Sequence, residues 1–457
     1  MPPRTAPLPP ALPVVAVVAL LALPAGAGGS EGAGPADAAS ALAVLYCAVR
    51  AVRDRRRSPP GPAPLSRGAA VLFGLPVAAV ALSVLGAVSP EAAPAGFGRY
   101  VQVFVLVPVA VLLLVRDRRD FRLVAWSLVA LAGWQGAVGV HQYLTRTGAS
   151  YQGEEIRAVG TFGAQDVMGM ATVVSLGLVS AAGLALGRGP VRHRAVAAGC
   201  ALLLAVPLAV SFSRGAWIAT ALTCTVQSLL AGLRRALRAG AAVAAGCVVL
   251  VGGFGAGTAM LQERVSSITQ VTDAPDQSVT DRYTMWAAAV GMWRERPLTG
   301  VGLKGFPEYR DSYASLALSS GSDTEGAGEA YRRQPLLSPH NMYLLVLAEQ
   351  GLPGLLALAG GWAALLVCAV RGLSRGPSHE PARTPPAGLG PDCGLVACGL
   401  LVWLLTDFAY ADIGGPSTVL TAVCLGLAAR WALPADTTPT PAGAAADRRT
   451  APAPAAR

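Results

Sequence analysis

Residues 278–310 of the chain read SVTDRYTMWAAAVGMWRERPLTGVGLKGFPEYR, a charged, aromatic and glycine-rich stretch in a strongly apolar chain. Arg282, Trp286 and Trp293 are separated by four and seven residues, a spacing that places them on one stripe of an α-helix. Pro297 is expected to end that helix. The stretch therefore predicts a helix that carries a cationic and aromatic stripe between apolar segments.

A glycine-rich turn and a histidine follow this helix. Residues 338–354 read SPHNMYLLVLAEQGLPG, so His340 and Asn341 stand immediately before a new apolar run. Lys304 precedes them in a turn whose glycines allow a tight backbone, namely Gly300, Gly302 and Gly305. An imidazole, several guanidinium groups and tight turns between apolar segments predict a site at a membrane surface.

The composition indicates a protein that crosses a membrane several times. Of the 457 residues, 53% are hydrophobic and 14% are charged, whereas soluble domains carry about 25% charged residues. The net charge of +10 does not indicate nucleic acid binding, because the arginines cluster in short segments between apolar runs, as in cytoplasmic loops. The eight cysteines lie in or beside apolar runs without a C-x-x-C pair, which predicts buried thiols rather than disulfides or metal ligands.

Apolar runs of about 20 residues, enough to cross a bilayer as a helix, predict an all-α fold with about twelve transmembrane helices. The first run is expected to be a retained span rather than a cleaved signal peptide. The spans are expected at residues 11–28, 34–52, 68–89, 99–115, 121–141, 166–187, 195–212, 215–233, 239–261, 341–370, 393–411 and 414–432. They define an N-terminal membrane region (1–261), a long, partly helical loop (262–340), a C-terminal membrane region (341–433) and a disordered tail (434–457).

Arginine bias orients these spans. If the N-terminus is cytoplasmic, 24 of the 36 basic residues fall on the cytoplasmic side, and eight of the other twelve belong to the long loop. Because the positive-inside rule counts short loops, both termini are predicted in the cytoplasm, and residues 262–340 outside the cytoplasmic (inner) membrane. Within the loop, residues 316–329 are rich in Gly and Ser and are expected to be mobile.

Four short blocks resemble the shared domain of bacterial O-antigen ligases and the related O-antigen polymerases. The blocks are R-Y-x-x-W, P-L-x-G-V-G-x-x-x-F, H-N-x-Y-L and E-x-G-L-P-G, which begin at Arg282, Pro297, His340 and Glu349. An S-R-G block around Arg214 also occurs at this place in the family. The resemblance rests on the order and spacing of the blocks and covers residues 211–354.

The resemblance implies a GT-C-like, lipid-dependent membrane glycosyltransferase that works without a cofactor. It would move a glycan from an undecaprenyl-diphosphate carrier to a hydroxyl of a glycan, lipid or protein at the outer face of the bilayer. Metal is not expected, because the outer face carries no H-x-x-x-H motif and no carboxylates at helical spacing near His340. A ligase-like enzyme is the first interpretation, and a polymerase that joins carrier-linked repeats stays open as the alternative, because both share the same blocks. A glycolipid transporter is less favoured, because the sequence shows no two matching halves. An inactive assembly partner is disfavoured because it would not need Arg214, Arg282 and His340.

Arg214 and Arg282 are the candidate ligands of the diphosphate. Arg214 lies at the outer junction of two apolar runs, where a charge is costly unless it is paired or functional; the alternative is an arginine that snorkels to the interface. The alternative for Arg282 is a solvated loop residue. A planar guanidinium binds a diphosphate through two hydrogen bonds and stabilises the charge that builds as the glycosyl bond breaks.

His340 is the candidate general base. It is the only histidine in the long loop, and an imidazole removes a proton near neutral pH. The alternative is a residue that caps the helix after it or lies at the membrane interface. As a base, His340 would deprotonate or orient the acceptor hydroxyl, and a single displacement would invert the anomeric carbon.

Several further residues are expected to contact substrate. Arg310 is the weakest, as a rim charge that attracts anions. Asp407 lies within a predicted span, where an unpaired carboxylate is disfavoured, so it is expected to face an arginine or a water-filled cleft. Asp166 stands where the family tends to carry an asparagine, which leaves its role open. The expected substrate contacts are Asn341, Trp286, Lys304, Arg310, Tyr343 and Asp407.

Overall fold

The computed structural model describes residues 9–24, 34–57, 65–89, 91–151, 157–166, 168–238, 240–241, 277–319, 321–326, 329–374, 389–415 and 417–433. Within these ranges the protein is mainly helical, as the hydropathy pattern predicts. The predicted tail at 434–457 and nearly all of the predicted span at 239–261 lie outside the described residues.

The helices follow the apolar runs of the sequence with shifted ends. In chain order they are α1 (Leu12–Leu20), α2 (Pro35–Arg57), α3 (Arg67–Leu85), α4 (Ala92–Val101), α5 (Val107–Leu114), α6 (Arg118–Thr145), α7 (Gly169–Leu186), α8 (Val191–Ala209), α9 (Arg214–Ala231), α10 (Gln277–Glu295), α11 (Phe306–Tyr313), α12 (Met342–Leu355), α13 (Gly361–Ser374), α14 (Pro391–Asp407) and α15 (Thr418–Ala432). Turns of π-helix at Gln102–Leu106 and Leu356–Gly360 join α4 to α5 and α12 to α13, and a 3₁₀ segment at Gly160–Asp166 precedes α7.

Side-chain caps explain where several of these helices begin. The Ser66 hydroxyl accepts a hydrogen bond from Ala69 N at 3.2 Å at the start of α3. At the start of α6, Asp117 Oδ1 accepts one from Asp120 N at 2.9 Å. Such oxygens satisfy amide groups that have no partner in the first helical turn, so these boundaries follow from the local sequence.

Seven helical segments among the described residues are long and apolar enough to cross a membrane, so the protein is a multi-pass membrane protein. They are Pro35–Arg56, Arg67–Leu85, Ala92–Leu114, Arg118–Thr145, Gly169–Leu186, Val191–Ala209 and Met342–Ser374. The helices α14 and α15 are shorter, with 17 and 15 residues, and most of their side chains are buried in the protein. The expected total of about twelve spans stays a prediction, as does their orientation.

The core centres on α7, which packs against α6, α8, α9 and α14. Small residues allow the close approach of these helices: a Cβ built on Gly177 would lie 2.2 Å from the Cβ of Ala132 in α6. Gln227 of α9 reaches between α7 and α14, and its Nε2 donates to Val179 O at 3.1 Å and to Leu395 O at 3.0 Å. A buried amide with partners on two helices therefore fixes the position of α9, which carries Arg214 at its first residue.

A small antiparallel sheet adds to the helical fold. Its strands β1 (Ala149–Tyr151), β2 (Ser322–Gly326) and β3 (Glu329–Gln334) lie in the order β1-β2-β3. Strand β1 follows α6, whereas β2 and β3 belong to the long loop, so the sheet joins two loops that are distant in sequence. The polar segment at 316–329, which was expected to be mobile, contains β2, and its backbone groups find partners through strand pairing. Its composition lacks the apolar alternation that reveals a strand.

Candidate functional site

The helix predicted around Arg282 and Trp286 is confirmed as α10. Its apolar face is fully buried, with Met285, Ala289 and Met292 packed against the start of α11. On another face, the Trp286 indole donates to the carbonyl of Pro339 at 2.8 Å. Trp286 therefore holds the residue that precedes His340. Its expected contact with substrate stays a prediction.

Asn341, and not His340, caps the helix that follows. Asn341 Oδ1 accepts a hydrogen bond from Leu344 N at 3.0 Å, the geometry of an N-cap. The capping alternative for His340 is therefore wrong. His340 instead has a left-handed backbone with a φ of 47°, a conformation that is uncommon outside glycine and is often held in place at functional sites.

The connection between α14 and α15, residues 408–415, packs directly on the start of α12. Asn341 Nδ2 donates to Ala409 O at 3.1 Å, and Met342 N lies 2.9 Å from Phe408 O and 3.0 Å from Ala411 O. One residue further on, the Tyr343 hydroxyl donates to the carbonyl of Leu405 at 2.6 Å. Asn341 and Tyr343, both expected to contact substrate, thus join two parts of the protein around His340.

Two charges of opposite sign act on His340. Burial lowers the pKa of His340 below its usual range, Asp412 of the 408–415 connection raises this pKa, and Arg282 of α10 lowers it. The imidazole is therefore held neutral and able to accept a proton near neutral pH. Asp412 Oδ2 is buried and has no hydrogen-bond partner among the described residues. Sequence reasoning missed Asp412, although the short polar turn between two apolar runs was a signal for it.

The helix that begins at Arg214 lies next to the same connection. Arg214 is the first residue of α9, whose cap Ser213 accepts a hydrogen bond from Ala216 N at 3.3 Å. A Cβ built on the next residue, Gly215, would lie 3.6 Å from the Cβ of Tyr410. The fold thus places Arg214 and His340 next to the same segment, although they lie far apart in the sequence. The N-terminus of α9 adds the positive end of a helix dipole to the charge of Arg214.

Two of the sequence blocks pack directly on each other. The helix α12 is broken at Gly351, which has φ 69° and ψ −169°. Its free carbonyls bind the glycine-rich turn: Val301 N donates to Ala348 O at 2.8 Å, and Gly302 N donates to Glu349 O at 3.1 Å. The P-L-x-G-V-G and E-x-G-L-P-G blocks are therefore the two halves of one backbone contact.

This contact also positions Lys304 and Glu349. Lys304 has a φ of 61°, and its side chain crosses Gly96 of α4, where an added Cβ would lie 2.9 Å from Lys304 Cγ. Glu349 is buried, and its Oε1 accepts a hydrogen bond from Phe306 N at 3.3 Å. Lys304 lies within electrostatic range of Glu349. Its contact with substrate stays a prediction.

Arg310 and Asp407 also make contacts within the protein. Arg310 Nη1 donates to Leu336 O at 2.5 Å, and its Nε donates to Asp311 Oδ1 at 2.7 Å. The hydrogen bond from Arg310 and its positive charge lower the pKa of Asp311. Asp407 is the last residue of α14 and is buried, and Asp412 lies within its electrostatic range. The expected binding of substrate by these two residues stays a prediction.

A polar cluster holds the far end of the 408–415 connection. Arg99 of α4 pairs with Asp37 of α2 and donates through Nη2 to Gly415 O at 3.2 Å. Just beyond it, Ser417 N donates to Asp166 Oδ2 at 3.3 Å, and burial raises the pKa of Asp166. The segment that carries Asp412 is therefore anchored at both ends.

The comparison with known families fits this arrangement. Residues 199–359 match the family model described as O-Antigen ligase. The matched O-antigen ligase domain runs from α8 to the kinked α12 and contains every predicted site residue except Asp407. No curated protein matches the chain significantly. The resemblance carried by the four blocks is thus confirmed, and it supports a membrane enzyme of the ligase or polymerase type that acts on a lipid-linked glycan.

Metal ligands and disulfides were not expected. Within the described ranges, no group of three or more His, Cys, Asp or Glu residues is arranged to hold a metal ion. The seven cysteines in those ranges are all free. Whether the reaction is independent of metal ions stays a prediction.

Proposed function

We propose that the protein transfers a glycan from undecaprenyl diphosphate to an acceptor hydroxyl at the outer face of the cytoplasmic membrane, with both termini in the cytoplasm. The observation that carries this proposal is the environment of His340, which is half-buried in the residues matched to the O-antigen ligase model and is acted on by the charges of both Arg282 and Asp412. A neutral imidazole beside a permanent cation suits a reaction that removes a proton and releases an anion.

The arginines would hold the leaving group. Arg282 lies within electrostatic range of His340, and Arg214 begins a helix beside the 408–415 connection. Two guanidinium groups and a helix N-terminus bind a diphosphate through charge-assisted hydrogen bonds. The negative charge that grows on the bridging oxygen as the glycosyl bond breaks makes these interactions stronger in the transition state than in the ground state.

His340 would take the proton of the acceptor. As the acceptor oxygen forms its bond to the anomeric carbon, its proton passes to the free ring nitrogen of His340. The bond from the anomeric carbon to the diphosphate breaks, and the electron pair leaves with the diphosphate. A single displacement of this kind inverts the anomeric carbon, and the charge on the diphosphate is balanced by arginine side chains.

Ligation and polymerisation share this chemistry and differ only in the acceptor. An acceptor that is itself linked to undecaprenyl diphosphate makes the enzyme a polymerase, and any other hydroxyl makes it a ligase. Both reactions release undecaprenyl diphosphate, whereas a glycolipid transporter moves the intact lipid. Release of the carrier therefore separates the enzymes from the transporter before the acceptor is known.

The test uses full-length protein in lipid nanodiscs, mixed with a lipid extract from the membranes of the cells that produce it. Mass spectrometry follows the release of undecaprenyl diphosphate. The informative variant is His340→Asn, because asparagine tolerates the left-handed backbone of this position better than most residues but cannot act as a base. We expect release to slow by about 10²–10⁴-fold with retention of the carrier lipid unchanged.

The matched control is His193→Asn, which changes a histidine of α8 on the predicted cytoplasmic side. This variant should release the carrier at the wild-type rate. Carrier transfer across vesicle membranes without release would favour the transporter instead. A wild-type rate for His340→Asn would remove the imidazole from the reaction and leave an arginine site that only binds and positions.

A further inference from the structure

One buried carboxylate near the candidate base has no role in the reaction described so far. Asp412 stands in the 408–415 connection, outside the residues matched to the O-antigen ligase domain. Its Oδ2 atom is buried and has no hydrogen-bond partner among the described residues. An ionised oxygen that is buried without a hydrogen-bond partner is costly, so this carboxylate needs a hydrogen-bond donor.

The backbone brings the segment of His340 next to the segment of Asp412. Met342 N lies 3.0 Å from Ala411 O, the residue before Asp412, and Asn341 Nδ2 donates to Ala409 O. The segment that carries the histidine and the segment that carries the carboxylate are thus joined beside both side chains. Arg99 fixes the other end of the connection through Gly415 O, so the position of Asp412 is set by the packed helices.

We propose that Asp412 is the positioning residue of His340: its carboxylate accepts a hydrogen bond from one ring nitrogen, so that the other faces the acceptor hydroxyl without a proton. This inference rests on the proposed function. When His340 takes the acceptor proton, it becomes an imidazolium, and the carboxylate stabilises that charge without taking the proton itself. The same division of roles operates in the carboxylate–histidine pairs of serine proteases.

Other charges around this pair decide how the loss of the Asp412 carboxylate would change the pH dependence of the rate. Arg282 acts on His340 from α10 and lowers its pKa, whereas Asp412 raises it. Glu349 and Asp407 lie within electrostatic range of Asp412, and Lys304 within range of Glu349. If the charge of Asp412 is removed, the cation of Arg282 is left unopposed at the imidazole. The acidic limb of the rate profile, where His340 becomes protonated, then moves to lower pH.

The test compares Asp412→Asn and Asp412→Glu with the wild-type protein in nanodiscs. Release of undecaprenyl diphosphate from the same lipid extract is measured from about pH 5 to about pH 9. We expect Asp412→Asn to slow release by about 10²–10⁴-fold and to shift the acidic limb to lower pH. Asp412→Glu keeps the charge and should keep the limb in place. The control Asp54→Asn, at an exposed carboxylate of α2, should change neither quantity.

A slow Asp412→Asn variant whose acidic limb stays at the wild-type pH would show that Asp412 serves structure alone and would overturn the inference. A wild-type rate would overturn it as well. If the Asn variant does not fold, Asp412→Ser is measured in the same way. In this variant His340 has no carboxylate beside it, and the pH dependence of its modification by diethyl pyrocarbonate must also shift to lower pH. Wild-type protein that releases no carrier refutes the proposed function itself, which is a different result.

Discussion

Replacing Asn341 by alanine removes two hydrogen bonds that join α12 to the 408–415 connection. The first is the N-cap bond from Leu344 N to Asn341 Oδ1, 3.0 Å long, and the loss of such a cap costs about 0.5–2 kcal/mol. The second runs from Asn341 Nδ2 to Ala409 O, 3.1 Å long, and is worth about 0.5–1.5 kcal/mol. Asn341→Ala should therefore lower the free energy of unfolding by about 1–3.5 kcal/mol.

Asn341→Ser separates the two contributions. Serine caps a helix about as well as asparagine but is too short to reach Ala409, so this variant should lose only the second bond, about 0.5–1.5 kcal/mol. Thermal unfolding of the purified protein in detergent should rank the wild type above Asn341→Ser and Asn341→Ala last. Retention of undecaprenyl diphosphate, measured on the same samples below their unfolding temperatures, should be equal for the three proteins, because both hydrogen bonds lie within the protein.

The opposite pattern would refute this reasoning. If Asn341 binds substrate, as its place in the H-N-x-Y-L block predicts, then Asn341→Ser will be as stable as the wild type and yet lose affinity for the carrier lipid. Equal unfolding temperatures for all three proteins would show that neither hydrogen bond contributes to stability.

Three further outcomes are expected. Gly300→Ala should destabilise the protein by about 2–5 kcal/mol, because Gly300 has a φ of 63° and its new Cβ would lie 2.4 Å from the backbone of α12. The control Gly199→Ala, in α8 with open space around it, should unfold at or slightly above the wild-type temperature, because alanine favours a helix over glycine. The rate of carrier release should fall on the acidic side at a pH below 6.5, the usual pKa of histidine. Burial and Arg282 lower the pKa of His340, and only its neutral form accepts a proton. A rate that already falls above pH 6.5 contradicts the role of His340 as the base. A cysteine at Ser322 should react with a membrane-impermeant reagent in intact cells and one at Ser378 should not, and the reverse labelling would place the site on the wrong side of the membrane.

The sequence by itself determined the class of protein and the local elements of the site. Hydropathy and helical period are properties of neighbouring residues, so the membrane class, α10 and the end of that helix near Pro297 could be predicted without a fold. The order of the four blocks was sufficient for the family. A small sheet made of polar segments carries no such local signal, and neither do the π-helical turns.

Only the tertiary structure decided what each block does. The glycine-rich turn and the E-x-G-L-P-G block form one backbone contact because the break at Gly351 leaves carbonyls free for another segment. The sequence allowed His340 to cap the helix after it, and the structure shows that Asn341 is the cap. Asp412 became visible as a neighbour of His340 only when the 408–415 connection was packed on α12. Contacts between residues far apart in the chain depend on how all the helices pack together, and no local pattern encodes that arrangement.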